Sequence, residues 1–181
     1  LKEKWENELP KILDKLPSAK AAAVSLDKSI TNLASIVSIV RVGDRRILLM
    51  GDARADMTYK WLGDAGLLDD EGGAHFHIIK LGHHGSIRNI DQKFISKVTA
   101  NHYVVSGNGG HGNPDPKTID MILSTRGNSA DYCVALTYSL DEIKSHTTYI
   151  SKDKPAKLDA VLQRHADKAE KIVFPATHKN F

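Results

Sequence analysis

Short apolar runs that each stop at a glycine constrain the fold of this chain more than any other feature. Ser35-Ile-Val-Ser-Ile-Val-Arg-Val is followed by Gly43-Asp44 and then by Arg45-Arg-Ile-Leu-Leu-Met, which ends at Gly51. Phe76-His-Ile-Ile-Lys-Leu ends at Gly82, and His102-Tyr-Val-Val-Ser ends at Gly107. Runs this short and this rich in β-branched residues read as strands, and the first two flank a turn that makes them a hairpin. Polar segments of helical length separate the later runs. Asp56 to Leu62 and Asp91 to Val98 read as helices, and Asp115-Pro116 reads as an N-cap opening a helix from Lys117 to Ser124. Tyr132 to Tyr138 and His146 to Ile150 are further strand candidates, and Pro155 to Lys171 is a polar surface helix. Trp5, Leu9, Ile12, Leu13 and Leu16 have helix-like spacing over residues 2–16, interrupted by Pro10. A hairpin followed by alternating strand and helix predicts an α/β fold, a mixed sheet covered by helices on at least one side. The expected organisation is an N-terminal helical segment (1–31), the α/β body (32–150) and a C-terminal helix and tail (151–181).

The 181 residues suffice for one domain with a sizeable core. No apolar run approaches the roughly 20 residues needed to span a bilayer. The opening Leu1-Lys-Glu-Lys-Trp is charged, lacks the apolar core of a secretory signal and lacks an initiator Met. The expectation is therefore a processed chain or a piece of a longer one, in a cytoplasmic setting. One cysteine excludes an internal disulfide framework, and Tyr132-Cys-Val-Ala-Leu places Cys133 in a buried strand as a small core residue. A net charge of +3 is compatible with a phosphate-bearing substrate and selects no partner.

Histidine is abundant: nine in all, four of them between His75 and His84. Three strand candidates end alike, in an apolar run, a glycine and then a potential metal ligand. These are Met50-Gly51-Asp52, Leu81-Gly82-His83-His84 and Ser106-Gly-Asn-Gly-Gly-His111. Ligands at strand ends sit on rigid supports, and glycine lets the backbone turn sharply beside them. One carboxylate with imidazoles suits zinc or manganese. Taken singly, each residue has an ordinary reading: Asp after Gly is turn chemistry, and a histidine in a Gly-rich loop is a polar loop residue. The joint occurrence on three successive strands favours a site. Adjacent residues of a strand project oppositely, so His83 and His84 are expected to divide, one into the site and the other packed behind it. His75 and His77 lie at the start of their strand and read as structural. Lys80 reads as a phosphate contact or a solvated strand lysine, and Ser86 and Asn89 as ligand contacts or helix caps.

Several segments together resemble metallo-β-lactamase-fold hydrolases. They are Asn32-Leu-Ala-Ser-Ile-Val, Ile47-Leu-Leu-Met-Gly-Asp52, Ile79-Lys-Leu-Gly-His-His-Gly-Ser86 and Val104-Val-Ser-Gly with its His-containing loop ending at Pro114. The branch most resembled is the metal-dependent domain of ComEC-type competence proteins, with phosphorylcholine esterase among its relatives. The match spans roughly residues 32–125. It implies an α/β/β/α sandwich holding two zinc ions, or manganese, with hydrolysis by a hydroxide bound between them. Asp52 would bridge the metals; His84, or His83, and His111 would each complete one shell, with Asp52 and His84 as the catalytic pair. Relatives place Pro directly after the loop His, whereas Gly112-Asn113 intervene here. The family's first motif, H-x-H-x-D-H or H-x-D-x-D-H, is absent, since no histidine precedes His75. The resemblance therefore implies the C-terminal half of the sandwich, its first motif supplied by a missing N-terminal half or a partner chain. The substrate it implies is a phosphodiester, in nucleic acid or a smaller molecule, and the isolated chain is expected to be inactive. The competing expectation is a non-catalytic domain of the same fold that binds a protein partner.

Overall fold

The computed structural model describes residues 29, 32, 34–128, 131–148 and 151–174. The helical spacing over residues 2–16 lies outside them. The expected hairpin is present: β1 (Ser38–Val42) turns at Gly43-Asp44 into antiparallel β2 (Arg45–Leu49), with Val40 opposite Ile47. Strands β3 (Ala74–Lys80), β4 (Val98–Val105), β5 (Cys133–Leu136) and β6 (Ile172–Val173) then add in parallel. The result is a mixed six-stranded sheet in the order β1-β2-β3-β4-β5-β6.

Helices occupy the parallel crossovers. They are α1 (Ala55–Asp64) after β2, α2 (Gln92–Lys97) after β3, α3 (Pro116–Arg126) after β4, and α4 (Leu140–Thr148) with α5 (Lys154–Arg164) after β5. Parallel crossovers are right-handed, and the strand order advances in one direction only, so every crossover helix falls on the same face of the sheet. Burial agrees. Leu48, Ile79, Tyr103, Val105, Val134 and Leu136 are fully or almost fully buried, in one core with Leu62, Phe94, Ile119, Ile122 and Leu158 from the helices. The alternate positions point the other way, as the pleat requires. Ile47, Ile78, His102 and Cys133 stand in register across four strands, as do Leu49, Lys80, Val104 and Ala135. All eight are half-buried or exposed. The alternation slips in β3, where the buried residues are Phe76 and Ile79, and in β4, where Val98 and Ala100 are followed by Tyr103 and Val105.

Asp115 caps α3 by accepting from Lys117 N at 3.0 Å, with Pro116 in the first turn, as expected. Asp91 likewise caps α2, accepting from Phe94 N at 2.8 Å, and the strand after it begins at Val98 rather than His102. The strand expected over His146 to Ile150 is overturned where it is described: His146 to Thr148 lie in helix α4, and Tyr149 and Ile150 lie outside the described residues. The cause is a capping box, in which Ser139 N donates to Glu142 Oε2 (3.0 Å) and Glu142 N donates to Ser139 Oγ (3.3 Å). These bonds hold the exposed Glu142 carboxyl below its ordinary range. Its capping contribution is therefore complete above that range and lost as pH falls through the lowered value. Replacing Ser139 with alanine is expected to cost about 1 kcal/mol, read as a lower urea midpoint. The last expected helix is also shorter, ending at Arg164, because buried His165 turns to Asp120 on α3 (Nε2–Oδ1 2.8 Å). A 3₁₀ turn (Ala166–Lys171) then leads into β6. Among the described residues no helix is long and apolar enough to cross a membrane.

Candidate functional site

In parallel sheets the carboxyl ends of the strands are where ligands gather, since each chain there leaves the sheet as a loop. β2, β3 and β4 are adjacent, and the three glycine-led segments emerge side by side from their carboxyl ends. Gly51 turns with φ 55°, and a Cβ there would stand 2.6 Å from Ser35 Oγ. That hydroxyl must approach closely because it accepts from Asp52 N (2.8 Å). Buried Asn89 donates through Nδ2 to Asp52 O at 2.9 Å. The backbone of Asp52 is thus clamped on both sides. Its half-buried carboxylate has no hydrogen-bond or ion-pair partner among the described residues.

His83 and His84 lie in a tight turn (Gly82–Gly85) rather than on a strand, both with left-handed backbone (φ 47° and 56°). Two consecutive non-glycine residues in that region are uncommon and strained, as occurs at functional sites. The expected division of the pair is overturned, because strand alternation does not apply in such a turn: both rings face the same cavity. Asn89 Nδ2 is committed to Asp52, so its Oδ1 faces His83 Nδ1 (3.1 Å) as an acceptor. That contact holds the His83 ring in place. Asn32 Nδ2 lies 3.2 Å from the same Nδ1. His84 Nδ1 shares a hydrogen bond with Ser106 Oγ (3.1 Å).

The loop carrying His111 is held from several sides. Asn113 Nδ2 donates to His83 O (3.2 Å) and Asp115 N to Gly85 O (3.1 Å), which ties the loop to the histidine turn. From the C-terminal helices, His146 Nδ1 donates to Asn108 O (3.0 Å), and Lys154 Nζ donates to Gly112 O and pairs with Asp115 at 3.2 Å. Gly107 lies against the carbonyl of Asn113 and the nitrogen of Pro114, leaving no space for a side chain.

The outcome is one cavity of about 470 Å³ lined by Asp52, His83, His84, His111, Ser106 and Tyr138, with Asn108 and Asn113 at its loop side. Asp52, His83, His84 and His111 all border it, and among the described residues no lysine or arginine does. Among the described residues, however, no three His, Cys, Asp or Glu side chains stand close enough to hold a metal ion. The donor chemistry suits zinc, but these residues as placed do not fit a bound metal by themselves.

The other histidines lie elsewhere. His75 contacts Thr99 and Asn101, and His77 Nδ1 accepts from Arg46 N (3.2 Å), both near the amino ends of the strands. His102 Nδ1 meets Cys133 Sγ at 3.0 Å. Cys133 is a half-buried residue on the face away from the helices rather than the core residue expected, because its strand alternates and buries Val134 and Leu136 instead. Burial still pushes the thiol's pKa up, and Lys171 partly offsets this. His178 lies outside the described residues. Ser106, Asn108 and Tyr138 belong to the site without having been singled out as ligand contacts, and nothing in their local sequence distinguishes them. Asn32 and Ser35 carried a signal, since both stand in the first segment of the family resemblance. Compared with known proteins, the chain matches no family model, no curated protein and no solved structure.

Proposed function

We propose that this chain is the C-terminal half of a metallo-β-lactamase-type sandwich, a metal-dependent hydrolase whose preferred substrate is a phosphodiester. The observation that carries this reading is the gathering of Asp52, His83, His84 and His111 around one cavity at the ends of three adjacent parallel strands. The orientation of His83 by Asn89 supports it, because buried second partners of this kind fix metal-binding imidazoles. Among the described residues the cavity lining contains no lysine or arginine. An anionic substrate there needs positive charge from another source, and zinc or manganese would supply it. Among the described residues no three donors converge, and on this reading the remaining metal donors would come from a second layer.

The same finding gives the competing reading its support: a partner-binding domain that keeps the fold and holds no metal. Metal content, intact mass and hydrolysis of bis(p-nitrophenyl) phosphate separate the two. The isolated 181-residue chain is expected to carry well under one metal per chain and to hydrolyse at background. Protein from its natural source is expected to show a larger mass or a second polypeptide, two metals and turnover. Two tightly held metals on the isolated chain would refute the need for a second layer. A metal-free, inert natural protein would leave the partner-binding reading in place.

A further inference from the structure

Lys154 stands where a lysine is locally unfavourable. It is the first residue of α5, and a helix N-terminus repels cations because the amide N–H groups there carry partial positive charge. The N-cap residue, Asp153, makes no capping bond to the backbone; its carboxylate is taken by Ser151 and Lys157. A residue that breaks a local rule needs a compensating contact elsewhere, and functional sites are where such breaks are expected.

The compensating contacts of Lys154 lead to the candidate site. Its half-buried ammonium donates to Gly112 O, next to His111, and pairs with half-buried Asp115 at 3.2 Å. Asp115 in turn reaches the other two histidines, since its N donates to Gly85 O (3.1 Å) at the end of the His83-His84 turn. Its Oδ1 accepts from Lys117 N while its Oδ2 faces Lys154, so both carboxylate oxygens are engaged. One ammonium therefore joins the loop of His111, the turn of His83 and His84, and the start of α3. An ion pair away from open water is screened less than a surface one, and a charged hydrogen bond is stronger than a neutral one.

The loop also has a floor. A Cβ on Gly109 would stand 2.3 Å from Ile143 O and 2.7 Å from Thr147 Oγ1, so the loop lies directly on α4. An ion pair between Lys144 and Asp159 binds α4 to α5. Lys154 itself does not border the cavity, and neither do Gly112 and Asp115. Both helices also lie beyond residues 32–125, the span of the family resemblance.

We infer that Lys154 is a positioning residue, which clasps the His111 loop to the His83-His84 turn and so sets the spacing of the imidazoles across the cavity. A constellation of ligands has to be held to within about 0.5 Å to work, which gives such a clasp its purpose. The inference deepens the proposed function and rests on it only for what those imidazoles hold.

The remaining histidines serve as internal controls. Imidazole nitrogen–proton correlation spectra of the 181-residue chain would be compared with those of two variants. Lys154→Gln keeps an N–H donor and loses the charge. Asp115→Asn removes the ion pair from the opposite side and still offers an oxygen to cap α3. In both, the rings of His83, His84 and His111 are expected to shift or broaden. His75, His77 and His102, which have their contacts elsewhere, are expected to stay unchanged. Lys154→Arg should restore the parent spectrum, because a guanidinium can serve a carbonyl and a carboxylate together. In protein that carries a second layer, Lys154→Gln should lower kcat on bis(p-nitrophenyl) phosphate by about tenfold to a hundredfold, the scale of a misplacement of about 1 Å.

Cavity rings that stay unchanged would overturn the inference. Equal shifts at the control histidines would overturn it too, since they would mean a general loosening. Movement of His111 alone would leave Lys154 holding one loop and remove the clasp. Failure of arginine to restore the spectrum would trace the effect to lost packing instead. Shifts confined to the cavity rings, in a protein that neither binds zinc nor hydrolyses, would keep the clasp and discard the hydrolase. Hydrolysis indifferent to Lys154→Gln, with the rings unchanged, would do the reverse.

Discussion

If the proposed metal-dependent hydrolysis holds, replacing Asp52 with alanine in protein that carries a second layer is expected to lower kcat/KM on a phosphodiester by about 10³-fold or more, since metal ligation would be worth several kcal/mol of charge stabilisation. Metal content should fall with activity. Stability should barely change, and the geometry says why. The bonds that hold this residue in the fold, from Asp52 N to Ser35 and from Asn89 to Asp52 O, belong to its backbone and survive the substitution. The carboxylate has no hydrogen bond or ion pair among the described residues to lose. Urea denaturation run beside metal analysis would separate the effects. A variant as active and as metal-loaded as the parent would remove Asp52 from the site and with it the argument for metal-dependent hydrolysis.

Replacing Phe94 with alanine is expected to cost about 3–5 kcal/mol, a large share of the 5–15 kcal/mol typical of a domain. Phe94 is fully buried, and it sits on α2, a helix of only six residues between two central strands. So short a helix has little stability of its own. It is held by the Asp91 cap and by packing against α3 and β4, and Phe94 and Ile95 are its two buried residues. Removing the ring leaves a cavity in the helix-covered core, and it also loosens the element that follows the Asn89 clamp. Equilibrium urea unfolding would measure the loss. A cost below about 1 kcal/mol would mean that the site collapses readily and that α2 contributes little to the core.

Local chemistry made much of the fold legible. The hairpin follows from two β-branched runs around Gly43-Asp44, and α3 follows from Asp115-Pro116, because both signals act within a few residues. The strand expected around His146 fails by the same standard. Ser139 and Glu142 stood in the sequence as a capping box, and the bonds between them define a helix start. β6 could not be read, since two residues carry no periodicity and pair only because β5 offers a free edge. The division assigned to His83 and His84 depended on their being in a strand. Their left-handed turn is set by contacts distant in sequence, among them His83 N donating to Gly51 O at 3.0 Å.

By itself the sequence determined the α/β class, most of the element order and the four residues that border the cavity. Each of these follows from side-chain type and spacing along the chain. Only the tertiary structure decided which strands would be neighbours, that the two histidines would share a cavity, and that the crossover helices would all fall on one face of the sheet. Those outcomes depend on register and crossover direction, which are set by packing between segments tens of residues apart and leave no mark on any single stretch of sequence.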